Sequence, residues 1–227
     1  MKGITREGIV QAALDVLDAD GIDAVTVRAV AARLDVKAPA LYHHVHGKQE
    51  LLDEMGTEIQ RRVNAAFQAS GALLEWPEAI GAYARALRTE YLKHRDGART
   101  FSGTRLTDPA VLRAQEPWLQ RGVDAGWPLG MLLDAAECVA AFVVGFVIEE
   151  QERMQSAGED RYSVAERDAA LGEGVPLVVA SGHDRGDGDT RFARQLQLLL
   201  TGIRAGVEPA GSSDAPMGCQ AVRSHWR

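Results

Sequence analysis

The stretch from Ala24 to Lys48 holds the bases Arg28, Arg33, Lys37 and Lys48 against a single acid, Asp35, with Tyr42 and the histidines His43, His44 and His46 interleaved. Side chains of these types share one kind of work. Ammonium and guanidinium groups grip phosphate oxygens, and a guanidinium fork can also reach a guanine edge. The whole chain of 227 residues carries a net charge of −7, so the basic window is a local feature on an acidic body. Such a distribution limits nonspecific attraction to nucleic acid while keeping an electrostatic footprint. Charge alone equally allows a solvated basic face. The histidines also raise a metal site, but neighbouring helical side chains diverge and no orienting partners accompany them. DNA contact is the reading favoured, and no metal is expected.

Covalent chemistry has little to stand on. No HExxH, GxSxG, Walker loop or dinucleotide glycine pattern occurs. Ser181-Gly182-His183-Asp184 contains triad residue types, yet consecutive side chains diverge, and a triad is defined by geometry. Asp184-Arg185-Gly186-Asp187-Gly188-Asp189 has the wrong spacing for a calcium loop and reads as a mobile acidic linker. The two cysteines, Cys138 and Cys219, lie far apart, which argues against a disulfide framework or zinc site. Cys138 reads as a small buried hydrophobe. No catalytic residue and no cofactor are expected.

The elements that must position the basic window are helices, because the apolar periodicity is close to 3.6 almost throughout. A first helix is expected from about Thr5 to Asp20, with Ile9, Ala13, Val16 and Leu17 on one face and Gly21 as its stop. Thr26 then caps a short helix that buries Val27, Val30, Ala31 and Leu34. Asp35-Val36-Lys37 turns the chain into a second short helix, about Ala38 to His44, with Pro39 in its first turn. Two short helices about a tight turn, flanked by longer ones, form a helix-turn-helix whose second helix enters the major groove. A long helix follows, Lys48 to about Ala69, with Leu52, Met55, Ile59, Val63 and Phe67 along one stripe.

Beyond Gly71, helices are expected over Pro77–His94, around Ala98–Gly103, from Asp108-Pro109 to about Gly126, and from Pro128 to about Gln155. The middle of the last, Cys138–Ile148, is apolar on nearly every side. It must be covered on all faces, in a bundle centre or a subunit interface. Short helices near Val164–Leu171 and Pro176–Ala180 precede a final one, about Thr190–Arg204, carrying Phe192, Leu196, Leu199 and Ile203. The tail from Val207 reads as disordered. No stretch of about eighteen uncharged apolar residues exists, so no membrane partner is expected. Met1–Glu7 lacks the apolar core of a signal peptide, which points to the cytoplasm.

The string Gly21-Ile22-Asp23-Ala24-Val25-Thr26-Val27-Arg28-Ala29-Val30-Ala31-Ala32-Arg33-Leu34 meets a known pattern when followed by Ala38-Pro39-Ala40-Leu41-Tyr42-His43-His44-Val45 and Lys48-Gln49-Glu50-Leu51-Leu52. Together they resemble the DNA-binding region of the TetR (tetracycline-repressor) family of transcriptional regulators. Arg95-Asp96-Gly97-Ala98-Arg99, Gly103-Thr104-Arg105 and Ile148-Glu149-Glu150-Gln151-Glu152 are similar to segments of that family's C-terminal domain. The resemblance implies that Thr26 and Lys48 grip phosphates, that Tyr42 sets its ring and hydroxyl against the backbone, and that Arg28 reaches guanine. Lys37, Ala38 and Ala40 then occupy the base-reading start of the recognition helix, and Val27, Pro39, His43 and His44 complete the interface. His43 stands where the tetracycline repressor has a bulky aromatic, so a different operator is expected.

In the family's type member the drug arrives as a magnesium chelate held by histidine. Phe101, Asn64 and Ala141 stand at such positions in this chain, with Tyr83 and Leu87 where an asparagine and a phenylalanine would be. Hard cations want oxygen or imidazole ligands, so the resemblance implies loss of the metal chemistry, with Glu149 alone keeping an acidic position. What remains is an apolar and aromatic pocket of Phe67, Tyr83, Leu87, Phe101, Trp118, Val139 and Phe142, with Asn64, Thr104 and Arg105 as polar points. It would suit a hydrophobic or planar small molecule.

The expectation is therefore an all-α chain. Residues 1–47 form a three-helix helix-turn-helix DNA-binding domain and 48–206 a larger helical ligand-binding and dimerisation domain, with 48–69 as connecting helix and 207–227 as disordered tail. The loop around Arg99–Arg105 is expected to push the C-terminal end of the connecting helix. Expected partners are double-stranded operator DNA, a small-molecule effector and a second copy of the chain. A DNA-binding helper that senses no ligand is the other reading.

Overall fold

The computed structural model describes residues 4–71, 74–76, 78–155, 163–184 and 186–206. All regular structure among them is helical, in twelve α-helices and one 3₁₀ turn at Ile22–Ala24. Helix α1 (Arg6–Asp20) starts where the Thr5 hydroxyl accepts the Gly8 N–H at 3.1 Å and stops at Gly21, whose φ of 84° favours glycine. In α2 (Val27–Arg33) the Thr26 hydroxyl caps the Ala29 N–H at 3.1 Å. Asp35 makes the turn with a left-handed φ of 54°, while the Val36 N–H returns to the Ala31 carbonyl at 3.0 Å. Helix α3 is only Ala38–Leu41, shorter than the periodicity predicts. Tyr42–His44 form a turn in which the Leu41 carbonyl accepts the N–H groups of both His44 and Val45.

Ile9, Leu14, Leu17, Val25, Val30, Leu41 and Val45 make the fully buried centre of the head. Helix α4 (Lys48–Ser70) enters that centre with Leu51 and Met55, then leaves it to bury Ile59, Val63 and Phe67 in the body. One helix thus belongs to both cores. In the body α5 (Glu78–Leu92) packs between α4 and α9 (Leu129–Gln155), and α6 (Gly97–Phe101) closes the corner at the end of α5. Gly97 is required there, because a Cβ would lie 2.2 Å from the Tyr91 carbonyl oxygen.

The helix expected from Asp108-Pro109 to Gly126 is two: α7 (Pro109–Arg113) and α8 (Glu116–Asp124). Pro117 explains the break. Inside a continuous helix it would remove the bond to Arg113 and press its ring on that turn, whereas in the first turn of α8 it costs little. Helices α10 (Val164–Leu171), α11 (Pro176–His183) and α12 (Gly188–Ala205) complete the chain.

By length and composition α9 is apolar enough to cross a membrane, although Asp134 and Glu137 interrupt it and keep its uncharged run short, as the sequence reading required. It buries Leu132, Ala135, Val139, Val143, Phe146 and Val147 within the chain. Cys138, Ala141 and Gly145 lie on its open side, so Cys138 is exposed rather than buried as the sequence suggested. Helix α12 likewise buries Phe192, Leu196 and Leu200 and leaves Leu198 70 % exposed. Coverage on all faces, expected of α9, is not supplied by this chain alone. The expected tail from Val207, and Cys219 within it, lie outside the described residues.

Candidate nucleic-acid interface and effector cavity

The turn between α2 and α3 presents the basic window outward. Thr26, Arg28, Lys37, Pro39, Tyr42, His43 and Lys48 are exposed, and Ala38, Ala40 and His44 half-buried. Arg28 and Lys37 make no hydrogen bond or ion pair with any described residue, which leaves both free for an external partner. The Thr26 oxygen is spent on its cap, but its hydroxyl hydrogen remains a donor. Lys48 does more than the sequence suggested, for its Nζ donates to the Ile22 carbonyl at 3.0 Å and braces the turn ahead of α2. Val27 is corrected by the structure: it is buried and packs inside the head, facing no partner. His46 is exposed but engaged locally, its ring nitrogen 3.2 Å from the Tyr42 carbonyl, while its N–H meets Glu50 at 2.7 Å.

In the body, Asn64, Phe67, Tyr83 and Trp118 come together around a cavity of about 270 Å³, with Gln68, Gln115, Ala136, Glu137 and Ala140 completing its wall. Trp76 and Trp127 extend the aromatic cluster behind it, the Trp76 ring 5.5 Å from Trp118 and 5.2 Å from Trp127. Phe101 and Thr104 line a second cavity of about 200 Å³ with Gly56, Ile59, Gln60 and Tyr91. Gln60 joins the two: its amide nitrogen donates to Asn64 at 3.1 Å and to the Tyr83 hydroxyl at 3.4 Å. Burial raises the pKa of Tyr83 and keeps it a neutral phenol.

Five of the residues expected at the effector site lie elsewhere. Leu87 and Val139 are closed within the core. Phe142 stacks on Phe192 with centroids 5.6 Å apart and, with Glu149, lines a cleft between α9, α11 and α12. Periodicity could not separate that face of α9 from the one bearing Ala136 and Ala140. Arg105 is exposed, and only its backbone N–H is engaged. Gln60 and Glu137 were missed; the signal for Gln60 was its place one turn before Asn64 on the same face of α4.

The cavities are wired to the head. After Phe101 the chain lies on the N-terminal half of α4, not on its C-terminal end as the sequence reading had it. The Arg105 N–H donates to Asp53 at 3.1 Å, the Thr107 N–H to Thr57 at 2.9 Å, and a Cβ on Gly56 would meet the Thr104 hydroxyl at 2.2 Å. A second joint starts from the Phe101 ring, 6.0 Å from that of His94. His94 in turn holds both carboxylate oxygens of Asp18 on α1 at 3.0 Å. The Arg95 and Ile22 N–H groups add bonds between head and body, to Asp18 and Asp96 respectively. Gln151 anchors this corner to α9 by donating to the His94 carbonyl at 2.7 Å.

The triad types are not assembled. The Ser181 hydroxyl donates to the Val178 carbonyl, while His183 pairs with Asp168 at 2.7 Å. Asp187, from the acidic string, caps α12 by accepting the Thr190 N–H at 2.8 Å. Among the described residues no group of three or more metal-ligating side chains comes together.

Two family models match the chain: "Bacterial regulatory proteins, tetR family" over residues 9–55, and "Tetracyclin repressor-like, C-terminal domain" over residues 72–207. The class D tetracycline repressor protein of Escherichia coli is 32 % identical over 207 residues, covering 89 % of this chain and 90 % of that protein. A solved possible TetR family transcriptional regulator from Streptomyces coelicolor A3(2) is 36 % identical. It covers 89 % of this chain and all of its own, with a TM-score of 0.76. A class A TetR in complex with 5a,6-anhydrotetracycline and magnesium is 27 % identical over 87 % of this chain and 96 % of its own, with a TM-score of 0.66.

Proposed function

The chain belongs to the TetR family and is a ligand-responsive, DNA-binding transcriptional regulator; from that premise we propose that it is a cytoplasmic homodimeric repressor that leaves a two-fold-symmetric operator when a hydrophobic or aromatic effector enters the body. We divide it as 1–47 for DNA reading and 48–206 for sensing and dimerisation, with α4 shared between the two. The family is generally non-enzymatic, and we assign this member no catalytic role.

The observation that carries the reading is the continuity of contacts from cavity to head. Gln60 bridges the two cavities, Phe101 and Thr104 line the second, and the segment that follows them is fastened to Asp53 and Thr57 on α4. An effector that competes for the Asn64 and Tyr83 groups held by Gln60 would disturb this segment. Each state of the segment would favour a different placement of the two heads, so binding shifts a pre-existing equilibrium. Arg28, Lys37, Ala38, Pro39, Ala40, Tyr42, His43 and His44 form our DNA-reading surface, with Thr26 and Lys48 on phosphates. Dimerisation through the open faces of α9 and α12 sets two such surfaces on one side of a duplex.

The magnesium-dependent mode of the class A relative is not assigned to this chain. Phe101, Asn64 and Ala141 offer no imidazole, and the effector is expected to bind without a metal. The test of the function is selection of duplex DNA from a random pool by the full chain. Half-sites in inverted repeat, spaced about one helical turn (~34–36 Å) or a multiple apart, are expected. Selection of unsymmetrical or sequence-indifferent DNA would refute the proposal.

A further inference from the structure

The wall of the larger cavity carries a charge pattern that narrows the chemistry of the effector; the inference rests on reading this cavity as the effector site. Three aromatic rings line it, with Phe67 edge-on to Tyr83 at 6.1 Å and to Trp118 at 6.5 Å. No lysine, arginine or histidine is among its lining residues, whereas Glu137 places one carboxylate there. Glu137 makes no ion pair with any described residue.

We propose that the effector is an organic cation, a flat aromatic frame that bears a protonated amine or quaternary nitrogen. The negative faces of aromatic rings attract a cation, and Glu137 supplies its counter-charge. A neutral frame covering the cavity would strip water from the Glu137 carboxylate and return nothing to it. An anionic frame would meet both the carboxylate and the ring faces with the wrong sign.

Three isosteric probes separate these cases: the 9-aminoacridinium cation, neutral acridone and the acridine-9-carboxylate anion. Trp76, Trp118 and Trp127 stand together at the cavity, so quenching of tryptophan fluorescence in the full chain, without DNA, reports occupancy. The cation is expected to bind at least tenfold tighter than acridone, with the carboxylate weakest. Glu137→Gln, isosteric and on an exposed helix position, should weaken the cation about five- to tenfold and leave acridone unchanged. Equal binding of cation and acridone, an equal effect of Glu137→Gln on both, tightest binding of the carboxylate, or no quenching by the cation would each overturn the inference. Operator binding by the same protein is measured alongside by fluorescence anisotropy. Release of operator by an uncharged aromatic would defeat the charge inference and leave the regulator standing, whereas failure to select any symmetric DNA defeats the regulator reading itself.

Discussion

At the residue scale, Arg28 and Lys48 stand side by side in sequence logic but differ in what holds them. Arg28 is unengaged and exposed, so its guanidinium is available for a bidentate contact to guanine. Arg28→Ala should relax preference at one base position by ~1–3 kcal/mol and leave binding to other positions intact. Equal loss of affinity for every DNA sequence would make Arg28 a phosphate or structural residue. Lys48 spends one ammonium donor on the Ile22 carbonyl and, being exposed, keeps the others for a phosphate. Lys48→Ala should therefore weaken all sequences alike and lower the salt slope by about 0.9. Binding measured between low and moderate salt on matched and mismatched duplexes reads both effects. The outward residues of this window were legible in the sequence because each stands at a motif position. The burial of Val27 was legible from its periodicity with Val30 and Ala31, and it is burial that removes it from the DNA-facing surface.

At the element scale, helices with a clear apolar stripe were foreseen to within a residue or two, as α1, α4 and α12 show. The departures come from backbone chemistry and tertiary contact. Pro117 divides α7 from α8, and α3 closes early where the Leu41 carbonyl accepts two successive N–H groups. No periodicity announces that the segment after Phe101 lies on Asp53 and Thr57, since those contacts are polar and span about fifty residues. Two elements carry predictions of their own. Asp108 and Asp187 cap α7 and α12, and the Ala110 and Thr190 backbone N–H groups, as the leading causes, lower their pKa values. A carboxylate lowered in the folded state stabilises it above the unfolded pKa, and that contribution is lost as pH falls through the folded value. Tm should therefore hold from pH 7 to about 5 and decline below that. Asp187→Asn, which can still accept the Thr190 N–H but does not titrate, should shallow the decline; an identical acid slope in the variant would speak against the cap. On α9, a Cβ at Gly145 meets nothing within 4 Å in the single chain. Gly145→Leu should leave the fold intact while separating the two copies. Sedimentation should show a shift toward monomer, with operator affinity reduced at least tenfold, or about 1.4 kcal/mol. A variant that stays dimeric would move the interface elsewhere.

At the scale of the whole molecule, the account depends on coupling between a cavity in the body and a surface in the head. Two routes connect them, the segment on Asp53, Gly56 and Thr57 of α4, and the His94–Asp18 joint onto α1. The sequence reading offered one route, the loop around Arg99–Arg105 pushing on the connecting helix. The joint through His94 and Asp18 escaped it because the two residues are 76 positions apart and neither stands in an apolar pattern. Coupling of ~1–3 kcal/mol would make operator and effector each weaken the other's binding by roughly 5- to 150-fold, and linkage requires the two factors to be equal. The most direct measurement takes a compound found by thermal-shift screening of the full chain and determines its Kd with and without saturating operator DNA. The account predicts an affinity at least 5-fold weaker in the presence of operator, matched by the same factor in operator affinity when the compound is saturating. Equal affinities in the two conditions would contradict it and leave a DNA-binding protein that senses nothing through this cavity.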